Sequence, residues 1–180
     1  MTIYEALTTD HTKVKQLLAE LVALDASGEK RRSSLIQGIR DELIPHARAE
    51  EAVLYNLIRA VDTAKGVVAH GYQEHIEAEV LLRALQVADS IDAGWKQTAE
   101  KLRSALEHHI KEEESEIFAA AQKLFTNEEA EMMAEAFEDL KPKVRDQNML
   151  ETTRDLVINM LPPRMADAMK ISLNPESRQN

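Results

Sequence analysis

Hydrophobic residues recur at alternating steps of three and four along four long stretches of the chain. This spacing places apolar side chains on one face of an α-helix, so each stretch is predicted to be an amphipathic helix packed against the others. Segments rich in Gly, Ser and Asp separate the first helix from the second and the third from the fourth. We therefore predict an all-α, up-down-up-down four-helix bundle. Its helices are expected at about residues 3–24, 31–61, 62–88 and 95–125.

A further helical region follows the fourth helix. Residues 126–129 are typical of a helix start, because a capping side chain and early acidic residues stabilise the free N–H groups of the first turn. We expect residues 1–125 to form the bundle, and residues 126–180 to form a helical extension that packs on the bundle or contacts a partner. The extension is predicted to contain helices at 127–140, 149–160 and 164–171 and a frayed tail at 174–180.

Histidine and glutamate residues interrupt the apolar stripes of all four bundle helices. They occupy positions where burial is expected, and the stripes contain no Lys or Arg. A buried carboxylate costs several kcal/mol unless it is protonated or paired, so this set requires a positive partner, which bound metal ions would supply. The predicted metal ligands are His11, His46, Glu50, His75, Glu79, His109 and Glu113.

Three of the His–Glu pairs have a spacing of four residues, one pair on each of helices two, three and four. Residues at this spacing lie on the same helix face, so both side chains can reach one metal or neighbouring metals inside the bundle. One such pair is common on helix surfaces, whereas three within apolar stripes are far more specific. Because the chain has no Cys, thiolate sites are excluded, and imidazole with carboxylate suits iron or manganese, with zinc as a further alternative.

Helices two and four share a His-x-x-x-Glu-Glu motif, which begins at His46 and at His109. An aromatic residue follows at the same distance in each, Tyr55 and Phe118, and we interpret both as core residues near the site. Helices two and four are therefore expected to play equivalent roles. Four further acids are interpreted as a solvated face: Glu51, Glu112, Glu114 and Glu116.

The order His, His-x-x-x-Glu, His, His-x-x-x-Glu resembles the hemerythrin, or HHE cation-binding, domain family over about residues 4–124. The resemblance rests on Asp10-His11, on the two repeated motifs and on Glu74-His75. It implies two non-haem iron ions joined by an oxo or hydroxo group (Fe–O–Fe or Fe–OH–Fe). It also implies the division of ligands: His11 and His46 on one iron, His75 and His109 on the other, and Glu50 and Glu113 bridging the two.

One position departs from the oxygen-carrying members of that family, which place a second His four residues after the first on helix three. This chain has Glu79 there, and its last acid follows its His by four residues instead of five. An anionic ligand in place of a neutral imidazole should stabilise ferric iron and lower the reduction potential. Three alternatives stay open: Glu79 acts outside the metal coordination, His70 replaces the missing His, or His108 restores the five-residue spacing.

These features favour a di-iron protein that binds oxygen or reacts with oxygen or peroxide over a plain oxygen store, with nitric oxide as another candidate ligand. Peroxidase-like, catalase-like or oxidase activity and the oligomeric state stay open. The alternatives are an iron- or redox-sensing module whose folding depends on metal, and a metal-free helical interaction protein.

Charge and hydropathy narrow the partners and the location. The net charge of -10 argues against nucleic acid and anionic membranes as partners. No apolar stretch approaches the roughly 20 residues that span a bilayer, and the N-terminal residues lack the pattern of a signal peptide. We therefore expect a soluble cytoplasmic protein.

Overall fold

The computed structural model describes residues 1–61 and 65–146, and every regular element within these ranges is helical. The chain continues without a break from residues 29–50 through a π-helical turn into residues 56–61, and likewise from residues 93–112 into residues 118–124. The predicted helices at 149–160 and 164–171 and the tail at 174–180 lie outside the described residues. In chain order the elements are α1 Ile3–Val22, a 3-10 turn Ala26–Gly28, α2 Glu29–Glu50, a π-helical turn Glu51–Tyr55, α3 Asn56–Val61, α4 Lys65–Val87, α5 Ala93–Glu112, a π-helical turn Glu113–Ile117, α6 Phe118–Leu124 and α7 Asn127–Asp146.

Side-chain caps fix several of the helix starts. At α1, the Glu5 N–H donates to Thr2 Oγ1 while the Thr2 N–H donates to the Glu5 carboxylate. The start of α7 has the same reciprocal arrangement, because the Thr126 N–H donates to Glu129 Oε2 at 2.8 Å and the Glu129 N–H donates to Thr126 Oγ1. Each arrangement satisfies two N–H groups that have no partner within the helix. The predicted start of the fifth helix is therefore confirmed.

The bundle is formed by α1, α2 with α3, α4, and α5 with α6, in up-down-up-down order, as predicted. α1 packs against α2 and α5, and α4 packs against the same two helices. Two apolar clusters fill the interior, and each fully buried Leu or Ile contributes about 1.5–3 kcal/mol. One cluster contains Ile3, Leu7, Val53 and Leu57, and the other contains Leu18, Ile39, Leu82 and Leu102.

The seven polar residues that are most relevant to function lie between these two clusters. Along each bundle helix they lie at the junction between the residues of one cluster and those of the other, so apolar side chains close the polar layer at both ends. This layer consists of Asp10, His11, His46, Glu50, His75, His109 and Glu113, all of them buried.

α7 covers one side of the bundle, where it packs along α1 and α2. Met133, Phe137 and Leu140 on this helix are completely buried in the same apolar cluster as Ile3. The helix continues to Asp146 through Pro142, although a proline inside a helix removes one backbone hydrogen bond. Tertiary contacts therefore outweigh the local preference that placed the predicted end at residue 140.

The two π-helical turns were not predicted. They begin directly after Glu50 and at Glu113, where the sequence pattern indicated continuous helices over 31–61 and 95–125. A π-helical turn adds a residue to the helical turn and changes the direction of the neighbouring side chains, and such turns are frequent at functional sites. Pro45 lies inside α2, and the bend expected from it stays a prediction. No helix in the described ranges is both long enough and apolar enough to cross a membrane.

Candidate metal centre

Six buried side chains converge between the two apolar clusters as two triads. In each triad the candidate ligand atoms all lie within 4.8 Å of one another. None of the six residues exposes more than 4% of its surface. The first triad is His11, His46 and Glu113, and the second is His75, His109 and Glu50. The structure thus brings together six of the seven predicted ligands.

Each glutamate of the centre lies between one histidine of its own triad and one of the other. Glu50 Oε2 is 3.4 Å from His75 Nε2 and 3.7 Å from His46 Nε2. Glu113 Oε2 is 3.2 Å from His11 Nε2 and 3.7 Å from His109 Nε2. A carboxylate that bridges two ions needs this position, so the geometry is compatible with the bridging role that the family resemblance implied.

The outer nitrogen of every histidine in the centre is held by a carboxylate. Because an ionised carboxylate can only accept a hydrogen bond, Nδ1 of each ring carries a proton, and Nε2 is the nitrogen that faces the interior. This is the arrangement that orients histidine ligands in metal sites. The Nδ1 contacts are His11 to Glu114 at 2.9 Å, His46 to Asp10 at 3.3 Å, His75 to Glu51 at 2.9 Å and His109 to Glu74 at 2.9 Å.

These carboxylates are neighbours in sequence of the ligands themselves. Glu51 and Glu114 directly follow the two candidate bridging glutamates, whereas Asp10 and Glu74 directly precede a histidine of the centre. The interpretation of Glu51 and Glu114 as a solvated face is therefore wrong, because both are partly buried against histidine rings. The sequence signal that could have identified them is the second Glu of the repeated motif.

Glu79 does not enter either triad. Its Oε1 accepts a hydrogen bond from Arg48 Nη2 at 2.6 Å, and Arg48 Nη1 also donates to Glu51 Oε1 at 3.1 Å. The placement of Glu79 therefore does not support the predicted role as a metal ligand, because its carboxylate is paired with a guanidinium group outside the centre. The structure does not support the alternative ligand roles of His70 and His108 either, because their side chains are 54% and 60% exposed.

The unpaired atoms of the centre fit bound cations. Both carboxylate oxygens of Glu50 and of Glu113 are buried without a hydrogen-bond partner, as is Nε2 of His11. His11 Nε2 is near Glu113 Oε2, but the two atoms do not have hydrogen-bond geometry. The Nε2 atoms of His75 and His109 are 3.1 Å apart, close enough for both to reach one ion. Cations would give these unpaired atoms partners.

Protons partly compensate for the charges in the metal-free centre. Burial, followed by the charge of Glu113, raises the pKa of Glu50 well above its ordinary value. Burial also acts to raise the pKa of Glu113, but the adjacent His11 outweighs it and lowers that pKa. Burial acts to lower the pKa of His11, yet the carboxylates of Glu113 and Glu114 raise it to about 8. Metal binding at such a site would displace protons.

Tyr55 supports one histidine of the centre from the apolar side. Its ring is fully buried and stacks on His75 with the centroids 5.6 Å apart and the planes at 6°. Gly71 on α4 leaves room for this ring, because a Cβ at that position would lie only 2.6 Å from Tyr55 Oη. Tyr55 is therefore a core aromatic next to the site, as predicted.

α7 reaches the centre through Lys141. Lys141 Nζ lies 2.8 Å from Asp10 Oδ2, and Asp10 in turn holds His46. The Phe137 ring also packs against the His46 ring in a T-shaped arrangement, with centroids 5.6 Å apart. Burial acts to raise the pKa of Asp10, but its bonds to His46 and Lys141 outweigh burial and lower it. α7 is therefore linked through Asp10 to a histidine of the centre.

Comparisons with known proteins agree with this geometry. The family model described as the hemerythrin HHE cation binding domain matches residues 2–121, a range that includes both triads. The crystal structure of an HHE cation-binding domain-containing protein from Mycobacterium kansasii has a TM-score of 0.70 at 22% identity, and the match covers 89% of this chain and 99% of that one. A curated relative from Nostoc sp., named DNA nickase, is 28% identical over 147 residues. That match covers 82% of this chain but only 41% of the relative, so the chain spans about two fifths of its length.

Proposed function

The chain belongs to the hemerythrin HHE cation-binding domain family, and on that premise we propose that its bundle holds two non-haem iron ions that bind oxygen or react with oxygen or peroxide. The observation that supports this most directly is the pair of buried triads, each with two imidazoles and one carboxylate. Such a donor set without thiolate suits ferrous iron, with manganese or zinc as alternatives, and three protein donors per ion would leave room for a small molecule.

The protein contributes orientation and protection from water. The four Nε2 atoms and the two central carboxylates would hold the metal ions, and the carboxylates on Nδ1 keep the rings turned inward. The apolar clusters at both ends of the layer keep bulk water away from it. When bound, iron supplies the redox chemistry toward oxygen or peroxide that side chains lack.

The placement of Glu79 changes the reason for favouring reaction over oxygen storage. Its charge is paired with Arg48, so the expected lowering of the reduction potential through direct ligation has no basis in this structure. Instead, the two triads contain four imidazoles, whereas the oxygen-carrying members of the family have one more histidine on helix three. Fewer protein donors leave more positions for exogenous ligands, which favours reaction with oxygen, peroxide or nitric oxide.

The proposal is tested by loading the purified protein with ferrous iron under anaerobic conditions and then adding air or peroxide. We expect two irons per chain and the appearance of oxo-to-iron charge-transfer bands. Glu50→Gln should lose both, whereas the matched control Glu79→Gln should retain both, because Glu79 lies outside the triads. Absence of the bands in iron-loaded wild type would contradict oxygen or peroxide reactivity. Negligible metal in all three proteins would favour the metal-free interaction module.

An iron- or redox-sensing role is a second proposal, and the contact between α7 and the centre supports it. On α7, Phe137 contacts His46 directly. Lys141 is connected to His46 through Asp10. Loss of metal should loosen this helix, because metal-binding energy contributes to folding. Limited proteolysis should then cleave α7 faster in metal-free than in iron-loaded protein. Equal rates would count against sensing while leaving the iron chemistry unaffected.

The name of the Nostoc relative suggests DNA as a partner, and we do not extend that activity to this chain. Neutralising phosphates requires positive charge, whereas this chain carries a net charge of -10. We therefore propose a small molecule as the ligand. A mobility-shift assay should show no stable complex with duplex DNA, and salt-sensitive binding would contradict this proposal.

A further inference from the structure

A second cluster of histidine and glutamate residues lies on α4 and α5, outside the central triads. Four of the chain's six histidines belong to the centre, and the other two, His70 and His108, both lie in this outer cluster. Each is followed four residues later by a glutamate, Glu74 or Glu112, on the same helix. The His-x-x-x-Glu spacing of the centre is thus repeated on two neighbouring helices closer to the surface.

Three of the four side chains are close enough to share one ion, and the fourth, His108, contacts both of their carboxylates. His70 Nε2 lies 3.6 Å from Glu74 Oε1 and 3.5 Å from Glu112 Oε2, and the candidate ligand atoms of these three residues lie within 4.8 Å of one another. His108 faces the same carboxylates from the other helix, with Nδ1 3.2 Å from Glu74 Oε1 and Nε2 3.4 Å from Glu112 Oε1. Each of the two helices therefore places an imidazole against the same two carboxylates.

The charge of the cluster favours a cation. In the described part of the chain, the side-chain partners of Glu74 and Glu112 are histidines, not lysines or arginines. Neither carboxylate therefore has a permanently charged partner among the described residues, and a bound cation would supply one. Both imidazoles are more than half exposed, which gives an ion direct access from solvent.

We propose that His70, Glu74, His108 and Glu112 form a separate binding site for a divalent transition-metal ion. Imidazole and carboxylate donors suit zinc, ferrous iron or manganese, and a mixed set of four matches the coordination number that zinc prefers. This site does not depend on the central triads holding iron, because none of its four residues belongs to them.

Glu74 connects the outer site to the centre. Its Oε1 faces the outer histidines, while its Oε2 accepts a hydrogen bond from His109 Nδ1 at 2.9 Å. An ion on Oε1 withdraws electron density from the carboxylate and weakens it as an acceptor for His109. Occupancy of the outer site should therefore shift any absorption band of the centre that depends on this histidine.

Zinc is a suitable probe because it has no redox chemistry. The protein, purified with the metals it carries, is dialysed against Zn²⁺, and each metal is counted by elemental analysis. We expect about one zinc per chain beyond the metals of the centre, and at least about tenfold weaker zinc binding in the double variant His70→Ala and His108→Ala. The control variant Gln73→Ala with Glu107→Gln changes exposed positions on the same two helices and should bind zinc as the wild type does.

Equal zinc binding by the wild type and the histidine double variant, with circular dichroism showing both folded, would overturn the proposal. Glu112→Gln provides an independent variant that keeps both histidines, and it should also weaken zinc binding. The metal count of the centre is a separate readout. A wild type that binds the outer zinc but carries no metal in the centre would refute the proposed iron centre. A wild type that carries metal in the centre but binds no further zinc would refute only the outer site.

Discussion

Replacing both central glutamates by methionine should make the metal-free protein more stable. Glu50 and Glu113 are fully buried, and none of their four carboxylate oxygens has a hydrogen-bond partner. Methionine has a similar size and no polar group to desolvate, and its flexible side chain fits irregular spaces. The double variant therefore removes a destabilising polar pair from the interior and, at the same time, removes one ligand from each triad.

The expected size of the effect follows from the burial of the pair. Replacing a buried ion pair by hydrophobic residues of similar volume is often stabilising, by about 1–4 kcal/mol, and we expect the same range for these two carboxylates, which lack hydrogen-bond partners. Metal acts in the opposite direction, because an ion at a hundredfold excess over its dissociation constant stabilises the folded state by about 2.7 kcal/mol per site. Two such sites exceed the advantage of the variant, so the order of stability should reverse when metal is added to both proteins.

Urea unfolding followed by far-UV circular dichroism measures these free energies, once with a chelator and once with excess metal. Glu107→Met with Glu116→Met is a matched control, because both glutamates are exposed on the same composite helix. The control should change stability by no more than about 0.5 kcal/mol. A less stable metal-free variant, or equal stabilisation of variant and wild type by metal, would refute the reasoning.

Three further substitutions test the surroundings of the centre. Gly71→Ala should destabilise the protein by about 1–3 kcal/mol in urea unfolding, because its Cβ would collide with Tyr55; a gain in stability, as expected from helix propensity alone, would contradict this. Lys141→Met should cost about 1–3 kcal/mol in the same assay by removing a partner of buried Asp10, and an unchanged midpoint would contradict it. Glu114→Gln should weaken metal binding about 10- to 100-fold in a chelator competition, and wild-type affinity would contradict that.

The hydrophobic periodicity was sufficient to predict the bundle and most of the centre. His11, His46 and Glu50 occupy positions where the apolar stripe requires burial, and the structure buries them. A polar residue at such a position is costly, so its presence carries information about function. The same reasoning identified the remaining histidines and the last glutamate of the two triads.

The sequence pattern could not assign the residues around the centre, because their roles depend on tertiary geometry. Glu79 has the same spacing to its histidine as Glu50 has, but its carboxylate is directed to Arg48 on another helix. Lys141 contacts Asp10 across 131 residues of sequence, and no local pattern predicts such a pair. The sequence pattern also did not predict the π-helical turns, because one additional residue barely alters the hydrophobic period over a long helix.

Anomalous diffraction at the iron absorption edge, from crystals of the iron-loaded protein, tests the central claim most directly. We expect two peaks inside the bundle, one among His11, His46 and Glu113 and the other among His75, His109 and Glu50. Iron-loaded crystals without a peak at either triad would contradict the proposed two-iron centre.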